Sequence, residues 1–179
     1  MVSRIRRAPL LLLLAALAVS LIAAGPDTPT RRTDPDRKLT PGAVVTTDRR
    51  VVCRPGYAAE TRARRRVTQK VLEEVARDYG VPVKADADRQ LDHFKPIALG
   101  GCPDCKENLW YQYAEPRPGY AEKDWVENVL HALVCARPVP LMTLDAAQDA
   151  VSNWVAIYLI LFRSDSGEGG AAAHPWARP

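Results

Sequence analysis

Apolar residues recur at helical spacing in three stretches of the chain, and two short runs lie between the first and second of them. Val67, Val71, Leu72, Val75 and Tyr79 predict an amphipathic helix over 64–79, stopped by Gly80 and Pro82. Its opposite face carries Arg64, Arg65, Arg66 and Lys70. Gln90 to Phe94 and Asn108 to Tyr111 are short and rich in aromatic or branched residues, so they predict two strands of a small hairpin. The loop between them contains Pro96, Gly100-Gly101 and Cys102-Pro-Asp-Cys105. After a connector over 115–119, Ala121, Trp125, Val129, Leu130, Leu133 and Val134 trace one face of a second helix, which ends near Cys135 ahead of Pro138 and Pro140. Thr143 caps a last helix with the stripe Leu144, Ala147, Val151, Trp154, Tyr158 and Leu161. Trp110, Trp125 and Trp154 lie on these stripes and are expected in the core. The order strand, loop, strand, helix with flanking helices is an α+β class, and there is no internal repeat.

The two ends read differently. Residues 10–24 form an apolar run of 15 behind Arg4, Arg6 and Arg7 and ahead of Gly25-Pro26, the layout of a secretory signal peptide over 1–25 with a cut between Ser20 and Gly25. An uncleaved anchor is the alternative, although the run is shorter than the roughly 20 residues that span a bilayer. Residues 26–50 hold Pro, Thr, Asp and Arg with hardly any apolar content and are expected to be a flexible linker. Residues 164–179, which include His174, are expected to be a disordered tail. The folded domain then covers 51–163.

Export favours disulfides for the four cysteines, for which three connectivities exist. Cys102 and Cys105 can join locally, leaving Cys53 to pair with Cys135. A four-cysteine zinc site is the competing reading, but such sites usually supply two CxxC pairs and this chain has one.

Composition bounds the rest. With 179 residues, 47% hydrophobic and 26% charged, the chain is neither wholly disordered nor a multi-pass membrane protein. The formal charge of +4 falls to +1 without the three leader arginines, so only local clustering of charge can point to a partner.

One constellation is more specific than a small exported α+β domain. Leu91-Asp92-His93-Phe94, then Pro96, Gly100-Gly101 and Asn108-Leu109-Trp110, resembles the HNH nucleases. The likeness extends through Val52-Cys53, Tyr79-Gly80, Asn108 to Gln112, Lys123-Asp124, Glu127 and Leu130 to Cys135, over residues 51–163, and looks like a small exported branch. It implies a ββα-metal core of hairpin plus helix and metal-dependent hydrolysis of phosphodiester bonds in DNA or RNA by a monomer, with no stable membrane association after cleavage.

The chemistry assigns roles. His93 suits the general base, being neutral near pH 7 with a free ring nitrogen. By the resemblance Asp92 is a metal ligand. Adjacent strand residues face opposite ways, so a bend or bulge is expected to bring the pair onto one site. Asn108 would orient His93 or brace the loop, and Mg²⁺, with Mn²⁺ as substitute, suits oxygen ligands. HNH proteins place a His or Asn at the start of the helix as a further ligand, whereas this chain has neither between Asn108 and Asn128. Glu127 is the first candidate and His131 the second, with Gln112 and Asp124 behind them. Arg64, Arg65, Arg66 and Lys123 are the candidate nucleic-acid contacts. The plain reading of Glu127 and His131 is a solvated helix face, and that of the arginines an exposed one. The alternatives to the nuclease are a catalytically inactive HNH-like domain that binds nucleic acid or another partner, and a structural module held by zinc or disulfides.

Overall fold

Thr68 decides where the first long helix begins. Its hydroxyl accepts from the Val71 amide at 3.3 Å, so α3 runs Gln69–Asp78 and not from Arg64. Two shorter helices precede it, α1 at Arg49–Val52 and α2 at Tyr57–Arg64, and Arg65 and Arg66 lie in the turn between α2 and α3. The remaining elements are β1 at Arg89–His93, β2 at Leu109–Tyr113, α4 at Tyr120–Cys135, α5 at Leu144–Ala150 and α6 at Trp154–Asp165. The last predicted helix is therefore two, joined by a 3₁₀ turn at Val151–Asn153. Thr68→Ala removes the oxygen that satisfies a first-turn amide, and is expected to lower stability by about 1 kcal/mol in urea denaturation. An unchanged midpoint would show that tertiary packing alone sets the start of α3.

This is a computed structural model that describes residues 32–165. The leader over 1–25, the start of the linker and the tail from 166, with His174, lie outside the described residues. Among those described, no helix is long and apolar enough to cross a membrane.

The α+β class holds: among the described residues the helices accompany one two-stranded antiparallel sheet. Its register pairs Arg89 with Tyr113, Leu91 with Tyr111 and His93 with Leu109 on one face, and Gln90 with Gln112 and Asp92 with Trp110 on the other. The first face meets α3 in a small core of Val75, Ala76, Leu109 and Tyr111, with Leu91 packed against it. A larger core gathers Val52, Leu99, Val126, Leu130, Trp154 and neighbours between α1, α4, α5 and α6.

The segment over 35–48 corrects the expected linker. Thr40 is fully buried, donates to the Leu109 carbonyl at 3.0 Å and accepts from the Tyr79 hydroxyl at 2.7 Å. Gly42 donates to Glu107 O, Val45 to Gly100 O, and Ala43 O accepts from Cys102, so the strap is held by backbone pairing to the hairpin loop. Low apolar content misled here because main-chain hydrogen bonds need no apolar side chains.

Both disulfides form in the expected pairing, Cys53 with Cys135 and Cys102 with Cys105. No cysteine is left as a thiolate for zinc. The first bond ties α1 to the end of α4 across 82 residues of sequence, the long-loop situation in which a crosslink typically adds about 2–4 kcal/mol.

Candidate functional site

Five one-to-one pairs make the hairpin register, with no bulge between Arg89 and His93. Asp92 and His93 therefore leave the strand on opposite faces, contrary to the expected bend, and another group joins them. That group is Lys123 of α4. Its ammonium is fully buried and donates to Asp92 Oδ2 at 2.8 Å, to the His93 carbonyl at 2.8 Å and to the Glu127 carboxylate one turn along. All three of its protons are used.

Burial by itself would push Lys123 down, but the charges of Asp92 and Glu127 outweigh it and hold the ammonium above its ordinary pKa. Burial pushes Glu127 the other way for a carboxylate, up from its usual range, against the pull of Lys123. Two carboxylates thus share one ammonium. Asp124, the next residue after Lys123, is open to solvent at the rim. Partial burial of its carboxyl and repulsion from Asp92 push it up to about 6, while Lys123 and Arg62 pull it down.

Lys123 corrects its sequence assignment, because a fully buried side chain cannot touch nucleic acid. The buried positions of α4 are Glu122, Lys123, Val126, Leu130 and Val134; Leu130 and Val134 were expected there, whereas Trp125, Val129 and Leu133 are only half-buried and Lys123 and Val126 take the inward positions. A Glu four residues after a Lys, with the Lys in phase with Val126 and Leu130, was the available signal.

His93 sits at the end of β1 with its ring 7% exposed, packed and not free on the hairpin surface. Nε2 lies 2.9 Å from the Pro103 carbonyl. A carbonyl only accepts, so Nε2 carries the proton and Nδ1 keeps its lone pair. Burial depresses the His93 pKa; the Pro103 bond and Asp92 oppose this, and Arg65 and Lys123 add to it.

The loop that supplies Pro103 is itself fixed. Asn108, fully buried, donates to Lys95 O at 2.9 Å and Cys102 O at 2.8 Å and accepts from Lys95 N at 2.7 Å. Its side chain is spent on the loop, which assigns it to bracing and removes it from direct contact with His93. Gly101 is required there, since a Cβ would stand 1.8 Å from the Lys95 carbonyl oxygen. Asp104, within the disulfide loop, accepts from the Arg66 amide at 2.7 Å and anchors the basic turn. Arg64, Arg65 and Arg66 are exposed as expected, with Arg65 inside electrostatic reach of His93.

The expected ligand trio does not assemble. Asp92 and Glu127 converge, but on Lys123. His131 points to the far end of α4, toward Val52 O at 3.2 Å and Cys135 Sγ at 3.5 Å. Gln112 is wholly buried on the α4 side of the hairpin. Among the described residues no three His, Cys, Asp or Glu side chains form a ready metal cage. Asp92, with Oδ2 on Lys123, and the repelled carboxyl of Asp124 remain as neighbouring oxygen donors at the rim. Compared with protein-family models, curated proteins and solved structures, the chain matches none of them.

Proposed function

We propose that the chain is an exported, monomeric HNH-type endonuclease that hydrolyses phosphodiester bonds in DNA or RNA, with His93 as general base. The observation that carries this reading is the His93–Pro103 contact at 2.9 Å, which fixes the tautomer that leaves Nδ1 as a proton acceptor. The depressed pKa keeps that nitrogen unprotonated at neutral pH. Nδ1 takes a proton from water as its oxygen attacks phosphorus, the P–O bond on the far side breaks, and the leaving oxygen is protonated from solvent. Arg65, beside His93, offers positive charge for the phosphate.

The HNH resemblance also implies a divalent ion, and the donor set at the rim fits one in altered form. Mg²⁺ usually keeps several waters and takes one or two carboxylates plus substrate phosphate. Asp92 and Asp124 would hold it, in place of Glu127 and His131. Such an ion supplies charge stabilisation at the phosphate and leaving oxygen. Two disulfides are compatible with an exported protein.

Supercoiled plasmid and structured RNA, incubated with the full chain in Mg²⁺, Mn²⁺ or chelator, test the reading: cleavage of either, abolished by chelator, is expected. At saturating Mg²⁺, which keeps Asp124 ionised although its carboxyl is pushed up to about 6, the acid limb of kcat/KM should fall as His93 protonates. Since burial lowers its pKa, that limb is expected below the ordinary imidazole value of about 6.5. A limb centred above pH 7 would rule out His93 as the titrating base. The inactive nucleic-acid-binding reading is favoured by one observation, the lysine that occupies two of the three expected ligands' surroundings. Tight oligonucleotide binding without cleavage in any metal would select it.

A further inference from the structure

The arginines of α1 and of the loop after α4 converge away from His93. A cavity of about 300 Å³ opens beside the Cys53–Cys135 disulfide, lined by Arg49, Arg50, Arg54 and Arg137 and, among the described residues, by no acidic side chain. Arg49 is fixed in its wall: Nε donates to Val134 O at 2.6 Å and Nη2 to Ala136 O at 3.0 Å, capping the end of α4. Arg50 pairs with Asp48 at 3.0 Å and Arg54 with Glu60 at 2.9 Å, both near the surface. Each is two-pronged, Arg50 through Nε and Nη2 on Asp48 and Arg54 through Nη1 and Nη2 on Glu60, so a phosphate there shares or displaces a carboxylate, with solvent screening lowering the cost at these exposed positions. Arg137 is exposed and has no ion pair among the described residues.

We infer that this cavity is an exosite for a backbone phosphate of the same nucleic-acid strand whose scissile phosphate lies at His93. The inference rests on the proposed nuclease reading and adds a second, remote contact to it. Continuity supports it. Glu60 is shared by Arg54 at the cavity and by Arg64, 3.9 Å away at the other end of α2. Arg62 and Arg65, at that end, exert their charge on Asp124 and His93. The eight residues of α2 span about 12 Å, a length that a single strand covers in a few nucleotides and that a dinucleotide does not bridge together with both ends. Guanidinium groups suit phosphate because they donate in a fixed fork. A free nucleotide would fill the cavity without needing this path, so strand length separates the two sources.

Fluorescence anisotropy with fluorescein-labelled single-stranded oligonucleotides of two and twelve nucleotides, on the full chain carrying His93→Gln to prevent cleavage, tests the exosite. Arg50→Gln with Arg137→Gln should weaken binding of the twelve-mer about 10-fold at 100 mM salt. It should also lower the slope of log affinity against log salt by about 0.7 to 1.4, the loss of one to two phosphate contacts on a single strand. The dinucleotide, too short to bridge, should be affected no more than by the charge-matched control Arg77→Gln with Arg117→Gln. Thermal melts of both double variants confirm the fold. If the twelve-mer responds equally to both pairs, the exosite falls while the nuclease reading stands. Equal weakening of both oligonucleotides makes the cavity a nucleotide pocket and overturns the strand path. A parent chain that binds no oligonucleotide removes the exosite together with the nucleic-acid reading.

Discussion

His93→Gln is expected to reduce metal-dependent cleavage by about 10²- to 10⁴-fold, the usual cost of losing a general base. Glutamine keeps a side-chain N–H able to reach the Pro103 carbonyl, which His93 now meets at 2.9 Å, but it offers no basic nitrogen. His93→Ala should lose as much activity and some stability, because the ring is 7% exposed and leaves a gap beside a carbonyl without its donor. The pair separates chemistry from packing: a glutamine variant that melts near the parent temperature and still fails to cut assigns the loss to the base. Exogenous imidazole supplies a second readout. A free base able to enter the space of the alanine variant should restore part of its rate, whereas a residue that only held the hairpin together would not be replaced by a small molecule. Full activity in His93→Gln would mean that another group activates the water, and the fixed tautomer would then be structural.

The difference between what was legible in the sequence and what was not follows from where each constraint is stored. The Thr143 cap, the hairpin and both disulfides are local or paired signals and appear in the fold, and the helix stripes do so in part, with Val75, Leu130, Val134, Leu144, Ala147, Val151 and Trp154 buried. The break of the first helix at Thr68 was readable in principle, since a threonine three residues before Val71 is a cap signal competing with a continuous arginine-rich face. The strap over 35–48 was not, because its partners are main-chain groups of a loop some 60 residues away and leave no trace in side-chain composition. Asp92, Glu127 and Lys123 were each singled out, but the one signal for which of them faces inward, the phase of Lys123 with the apolar stripe, competes with the usual solvation of a lysine. A lysine on a helix is normally solvated, and only the phase of Val126, Leu130 and Val134 places it under the hairpin. His131 shares an i, i+4 relation with Glu127, yet the helix carries it toward the Cys53–Cys135 bridge and away from Asp92.

Lys123→Met is expected to destabilise the protein by about 3–5 kcal/mol, the largest stability effect of any single change considered. Removing one partner of a buried ionic cluster leaves the others uncompensated, and here two carboxylates, 14% and 15% exposed, would face each other across an apolar thioether. Methionine matches the length of the lysine stem, so the loss reports charge and hydrogen bonding more than a cavity. The companion variant Lys123→Met with Glu127→Leu tests the cause. It removes one of the two carboxylates as well and leaves Asp92 to hydrate through its partly exposed side, so it should recover more than half of the lost stability in urea denaturation. Recovery of stability should not bring back function: the ammonium also holds the His93 carbonyl at 2.8 Å and ties the end of β1 to α4, so cleavage by the double variant should stay well below that of the parent. If the double variant is as unstable as the single one, the bond to the His93 carbonyl, and not relief of carboxylate repulsion, is what Lys123 contributes to the fold.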